Sequence, residues 1–322
     1  MEWRHIQKDN FKSLTKLINF LELDSTKRSK IAQKSTFPIN VPKRIANKIA
    51  KNSLTDPIFL QFIPLAKEND LTQGFCKDPV SDTLFQQSAR LLHKYPGRAL
   101  LLCTSACAMH CRFCFRQNYP YEKTKSLFTK ELNTIAKDSS IYEIILSGGD
   151  PLSLSDEALF SLVKSLETIS HLKLLRFHTR FLIGIPERVT KTFLSILKQT
   201  GLQTIFVIHI NHIKELDSDI ITALKKIKDL GIPVLSQTVL LKGVNDTVEA
   251  LRSLFLKLVQ EGMIPYYLHQ LDQLQGGAHF KVDPFKGIEL IKELRNTLPG
   301  YAVPTFVKEI PFEKSKTPLH TI

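Results

Sequence analysis

No stretch of this chain approaches the roughly 20 consecutive apolar residues of a membrane-spanning helix, and its start, MEWRHIQKDNFKSL, carries charges throughout with no apolar leader core. These absences argue against a helical membrane protein. They lead us to expect a cytoplasmic protein with no membrane partner. Cysteine is scarce as well. Of the five, Cys76 stands far upstream and Cys103 falls on an apolar, strand-like run, so neither is placed to complete a closed four-thiolate site with Cys107, Cys111 and Cys114. Acidic residues are the third shortage: 31 against 44 basic ones give a net charge of +13, which attracts nucleic acid, acidic proteins or anionic small molecules. The densest basic stretch, Lys27, Arg28, Lys30, Lys34, Lys43, Arg44, Lys48 and Lys51, has few aromatic residues interleaved and matches no nucleic-acid module. We read it as a solvated helix face and expect no nucleic-acid partner.

What the chain does contain is three cysteines within eight residues, in the run CAMHCRFCFRQ. The C-x3-C-x2-C spacing is short and irregular for a structural zinc site. His110 is a nearby fourth ligand, but its place beside Cys111 turns its ring away from a metal bound by that neighbour. Three thiolates suit a four-iron cluster with one iron left without a protein ligand, where chemistry can happen. A reducing compartment suits such ligands. On spacing alone, the zinc and disulfide readings stay open.

The chain, 43% hydrophobic, can bury one large core or two smaller ones. After a mainly helical N-terminal extension, residues 1–93, come the apolar runs RALLLCTS (98–105), YEIILSG (142–148), KLLRFHT (173–179), QTIFVIHI (203–210), IPVLSQTVL (232–240) and IPYYLHQL (264–271). Helical patterns such as DEALFSLVKSLETI and DTVEALRSLFLKLVQEG separate them, the βα rhythm of a parallel sheet. Six repeats suit an α/β fold, a partial (β/α)6 TIM-like barrel, over residues 94–300, followed by a C-terminal segment, 301–322. In such barrels, sites gather at the C-terminal ends of strands. The cysteine loop falls after the first strand, Ser147, Gly148, Gly149 and Asp150 after the second, and Arg180 after the third.

The cysteine loop followed by SGGD resembles the radical S-adenosylmethionine (SAM) superfamily. More narrowly, YPGRALLLCTSACAMHCRFCFR, LSGGDPL, LLKGVND, PYYLHQLD, GAHF, GYAVPTF and SKTPL, in this order from about residue 75 to the C-terminus, resemble the lysine 2,3-aminomutase family. HKYPGRALLL, CRFCFRQNYPY, INH, GGAHF and SKTPL look most like the branch that forms (R)-β-lysine for elongation factor P. The resemblance implies a [4Fe-4S] cluster on Cys107, Cys111 and Cys114, whose open iron chelates SAM. It implies SAM contacts from Ser147, Gly148, Gly149, Asp150, His209 and Gln237; two successive glycines let backbone approach a ligand closely, and Asp150 adds an acceptor for the SAM ammonium. Taken by itself, SGGD is also a plain turn.

A second cofactor, pyridoxal 5'-phosphate, follows from the match of Lys316 to the family's Schiff-base lysine. Lys314 is the competing amine. The family's well-known members place glycines before this lysine where PFEKS stands here, which leaves the phosphate side less defined. Arg98 and Tyr95 match residues near that phosphate. Arg116 is placed for a substrate carboxylate, with a structural ion pair as the alternative. Asp272 and Glu309 match the pair that holds the lysine side-chain ammonium; Glu309 stands where aspartate is usual, and a solvated edge is its alternative.

The implied activity is an isomerase, a lysine 2,3-aminomutase, converting free L-lysine to β-lysine with SAM recycled and Lys316 catalytic. A reductant such as flavodoxin or ferredoxin, and a functional link to elongation factor P and its lysyl ligase, follow as partners. The alternatives are a radical SAM and pyridoxal enzyme on another amino acid, a radical SAM enzyme modifying RNA or protein, and a non-enzymatic electron carrier. Larger relatives carry zinc-binding cysteines, one just after GVND, where this chain has Thr247; no cysteine follows Cys114. We therefore expect no structural zinc and a smaller or weaker oligomer, with a homodimer as the candidate state.

Overall fold

The apolar runs pair in the order in which they occur. In the computed structural model, which describes residues 2–33, 35, 37–122 and 128–320, they build a ten-stranded sheet in chain order. Lys34 of the basic stretch and the last two residues of the C-terminal segment lie outside the described residues. Strands β1 (Gln86–Ser88) and β2 (Leu91–Tyr95) run antiparallel and lead into β3 (Arg98–Thr104). From β3 the sheet is parallel through β4 (Glu143–Gly148), β5 (Leu174–Thr179), β6 (Gln203–His209), β7 (Val234–Leu240), β8 (Ile264–Gln270) and β9 (Thr305–Lys308). The antiparallel β10 (Thr317–Pro318) follows β9. The six expected strands are therefore present, and β9 adds a seventh to the parallel set. At four residues, TFVK is too short for its periodicity to stand out.

Helices join the parallel strands, and from β4 onward each crossover carries its own start signal, whereas the helix Thr129–Lys137 between β3 and β4 has no capping side chain. Ser155, Thr190, Asp217, Thr247 and Asp283 cap the helices Asp156–Glu167, Lys191–Gln199, Ser218–Lys228, Val248–Gln260 and Pro284–Thr297, each side chain accepting a backbone N–H of the first turn. Thr247 is thus used as a helix cap. Between helices and sheet lies an apolar layer in which Phe177 stacks on Phe206 at 4.7 Å and Phe193 meets Phe206 edge-on.

The strand pleat decides what faces inward. Along β5, Leu175 and Phe177 are buried away from an inner cavity that the alternate, half-buried Arg176 and His178 line, with the buried Thr179 at its edge. On β7, Ser236 and Thr238 are buried and Gln237 and Val239 line the same cavity.

The N-terminal segment is helical only in short pieces, Glu2–Lys8, Leu14–Phe20, Ser25–Arg28, Lys43–Asn47 and Pro57–Phe62. Its apolar residues belong to one continuous core with those of the sheet layer. Trp3 is fully buried, edge-on to Phe181 at 5.5 Å and beneath the Arg188 guanidinium. The sheet takes strands from all three expected segments, since β1 and most of β2 precede residue 94 and β9 and β10 follow residue 300. The basic stretch is in part solvated, with Arg28, Lys30, Lys43 and Lys51 exposed, and in part paired at the surface: Lys27 meets Asp24, Lys43 meets Asp9 and Lys51 meets Glu22. Arg44 reaches Glu187, Asp217 and Asp219, and Lys48 reaches Asp217, tying the segment to the barrel helices. Among the described residues no helix is long and apolar enough to cross a membrane.

Candidate active site

The inner cavity, about 280 Å³, opens at the C-terminal ends of the parallel strands. All fifteen site residues expected from the sequence line it: Cys107, Cys111, Cys114 and Arg116 from the loop after β3, Ser147 to Asp150 from the end of β4, His209 from β6 and Gln237 from β7. The rest close the opposite side: Tyr95 and Arg98 from the β2 to β3 turn, Asp272 after β8, Glu309 after β9 and Lys316 before β10. His209 and Gln237 are register partners, so their side chains stand side by side.

The cysteine loop has little regular structure and is held from outside. Asn40 donates to the Cys107 carbonyl at 3.0 Å, Asn10 to the Ala108 carbonyl at 2.8 Å, and the Asn40 and Gln61 carbonyls accept from the His110 and Arg112 amides at 2.9 Å. Arg112 is buried in a fork on Glu68 and also donates to the Phe37 carbonyl at 3.0 Å. His110 Nδ1 is 2.9 Å from the Pro38 carbonyl, and its ring stacks on Phe37 at 4.8 Å, so one ring nitrogen is committed away from the thiols. All these partners come from the N-terminal segment, and nothing in their sequence spacing marks them.

Burial pushes all three thiols up, Cys114 to about 11; at Cys111 the Arg180 guanidinium opposes it. Among the described residues no three or more His, Cys, Asp or Glu groups converge as for a single ion. Soft thiols on one loop, facing one cavity, fit a cluster that takes one thiolate per iron. Arg180 Nη1 donates to Cys111 Sγ at 2.9 Å, while its Nη2 is held by Glu215 at 2.8 Å and Gln61 at 2.7 Å, all of them buried or nearly so.

Asp150 departs from expectation. Both its oxygens are spent inside the fold, on the backbone N–H groups of Leu152, Arg180 and Phe181 and on the Thr179 hydroxyl. It brackets the ends of β4 and β5 and has no free lone pair for the SAM ammonium. Burial pushes its carboxyl up to about 6 against those hydrogen bonds.

At the other end, Lys316 Nζ is 2.7 Å from Glu309 Oε2, and Lys94 is 3.5 Å from Glu309 Oε1. The Glu309 side chain is only 9% exposed, which excludes the solvated edge; desolvation acts to raise its carboxyl, and the Lys316 charge outweighs this and holds it below the ordinary range. Asp272 is pushed up to about 6 by burial, with Lys316 opposing. Lys314 is exposed and does not line the cavity, which separates the two candidate amines. The Tyr95 hydroxyl is buried beside Glu309 without a well-formed hydrogen bond, and burial holds its proton on. Arg116 donates through Nε to Asp82 at 2.7 Å and through Nη1 to Ser147 at 3.3 Å, so it does make the structural pair.

Asp82, Lys94, His178 and His269 also line or back the cavity and were not expected from the sequence. Nε2 of His178 and Nε2 of His269 are buried without partners, orphans that fit a polar ligand beside Lys316. Burial, then nearby cations, keeps both imidazoles neutral. Their alternation with Arg176 and Tyr267 on β5 and β8 was a readable signal; Asp82, at the start of the short 3-10 helix Asp82–Phe85 before β1, carried none.

The radical SAM superfamily model matches residues 101–255. The chain is 40% identical to the L-lysine 2,3-aminomutase of Haemophilus influenzae, covering 95% of this chain and 91% of that one, and 37% identical to that of Escherichia coli, covering 94% and 90%. The solved structure of Streptococcus suis SuiB bound to S-adenosylmethionine superposes with a TM-score of 0.52 at 17% identity, over 67% of this chain and 51% of that one. At that identity the likeness concerns the fold alone.

A Cβ on Gly149 would lie 2.4 Å from the Ala106 carbonyl oxygen and 2.7 Å from Ser105 backbone atoms, so the cysteine loop would have to move. Gly149→Ala should lower stability by about 1–3 kcal/mol in a denaturant melt. It should also retain less iron after anaerobic reconstitution than the unsubstituted chain, by iron and sulfide analysis.

Proposed function

Because this chain belongs to the L-lysine 2,3-aminomutase family of radical SAM isomerases, we propose that it converts free L-lysine to β-lysine, the (R) isomer, for use in modifying elongation factor P. The observation that carries the activity is one cavity bounded by three thiols at one end and by Lys316 with two carboxylates at the other. The elongation factor P branch and the (R) product rest on the ordered motifs HKYPGRALLL, CRFCFRQNYPY and SKTPL.

In this reading Cys107, Cys111 and Cys114 hold a [4Fe-4S] cluster, and Ser147, Gly148, Gly149, His209 and Gln237 face SAM. Lys316, with Arg98 and Tyr95, holds pyridoxal phosphate. When bound, the cluster and SAM supply a carbon radical that takes hydrogen from the substrate, and pyridoxal phosphate supplies the conjugation through which nitrogen migrates. The residues of the chain bind, orient and exclude. Arg116, fixed by Asp82, offers its remaining fork to the substrate carboxylate; Asp272 and Glu309 receive the side-chain ammonium. Neutral His178 and His269 add no competing charge. Asp150 fixes the backbone at Arg180, and Arg180 in turn steadies the Cys111 sulfur. The burial of the site keeps water from a reactive intermediate. The cluster's electron comes from a reductant such as flavodoxin or ferredoxin.

Anaerobic incubation of the reconstituted chain with SAM, pyridoxal phosphate, a strong reductant and labelled L-lysine should yield (R)-β-lysine on chiral analysis, without stoichiometric loss of SAM. SAM cleavage without β-lysine contradicts the substrate. Lys316→Ala should lose the protein-bound pyridoxal absorbance while keeping the cluster spectrum, and Lys314→Ala should keep both.

Asp272, whose carboxyl sits at about 6 against an ordinary 3.8, is charged above that pH and neutral below it. Its raised value means that protonation is favoured in the folded chain, so acid removes the charge that the substrate ammonium needs. kcat/KM for lysine should fall as pH drops through about 6, and Asp272→Asn should lower the plateau and flatten that limb.

A further inference from the structure

Lys94, on β2, is a cation at the acidic end of the cavity for which the reading above has no use. Its ammonium lies 2.7 Å from Asp82 Oδ1 and donates to the Val80 carbonyl at 2.6 Å, yet stands 3.5 Å from Glu309 Oε1. Asp82 uses its other oxygen on Arg116 Nε at 2.7 Å, and Glu309 uses its other oxygen on Lys316 at 2.7 Å. Charges therefore alternate without a break along the cavity wall: Arg116, Asp82, Lys94, Glu309, Lys316. The Asp82 side chain is 2% exposed and that of Lys94 13%, so solvent screens these contacts little.

We infer that Asp82 determines specificity by position: it and the Val80 carbonyl keep Lys94 at the long end of its pair with Glu309, 3.5 Å against 2.7 Å to Asp82, so that Glu309 is left more of its charge for the cationic end of the substrate. This rests on the reading above, in which Asp272 and Glu309 receive a side-chain ammonium. Lys94 faces two carboxylates and is seated on the nearer. With Asp82 uncharged, Glu309 is the remaining anion in reach, and the flexible lysine stem lets the ammonium close the 3.5 Å gap. Glu309, already paired with Lys316, is then pressed by a second, closer cation of the chain and has less charge to offer the substrate. The carboxylate end of the site suffers less, because asparagine at 82 still presents an amide oxygen to Arg116 Nε.

The test uses the holoenzyme and two ligands of one shape: L-lysine and 6-hydroxynorleucine, which carries a neutral hydroxyl where lysine has its ammonium. Kd for each is read from the change in pyridoxal absorbance, and KM and kcat are measured separately for lysine. Asp82→Asn should weaken lysine by about ten- to a hundredfold, chiefly in KM, and leave the hydroxyl isostere within a few-fold. Adding Lys94→Met to Asp82→Asn should recover much of the lysine affinity by freeing Glu309, a rescue that a damaged fold cannot give. An equal loss for both ligands, unchanged lysine preference in Asp82→Asn, or no recovery in the double variant overturns the role of Asp82 alone. An unsubstituted chain that does not prefer lysine to the isostere overturns the substrate reading, and the inference with it.

Discussion

Asp82 sits between Arg116 and Lys94, Glu309 between Lys94 and Lys316, and Arg180 between the Cys111 sulfur and Glu215. Each is a buried ion held on both sides, and the rest of the site depends on that arrangement. An unpaired ion at such depth costs several kcal/mol, so these groups stay charged and fixed only as members of a set. The set spans the cavity, from the loop of thiols to the lysine before β10. Truncating one member leaves its neighbours to re-pair.

A second constraint acts on the cysteine loop. Its own sequence supplies almost no regular hydrogen bonding, and the Cys107 and Ala108 carbonyls and the His110 and Arg112 amides are satisfied by Asn10, Asn40 and Gln61. Buried backbone groups need partners, and here the N-terminal segment provides them. Its Trp3 and its Arg44 and Lys48 ion pairs dock it on the barrel helices. The segment that carried no motif is thereby the one that shapes the most diagnostic loop in the chain.

The strands and the order of the site were readable because apolar runs, capping residues and motif spacing are local signals. β9 was hidden by its length, and the ion chain by its long-range nature: Lys94 and Glu309 are 215 positions apart. The identity of Asp150 suggested an outward acceptor, but only the folded backbone shows three N–H groups converging on it. Arg116 illustrates two readings meeting in one side chain, since Nε makes the structural pair while the planar fork retains further donors. The two unpartnered histidines were legible by strand alternation, once the inward face of β5 and β8 was known.

The central claim is that both ends of the cavity act on a single substrate molecule. It is tested most directly by turning over L-lysine deuterated at C3 and recovering the SAM. The account predicts deuterium at the 5' carbon of the recovered SAM, because hydrogen taken from the substrate passes through the adenosyl group before it is returned. β-Lysine formed while the SAM stays free of deuterium would contradict it, since amino migration would then proceed without the thiol end of the cavity.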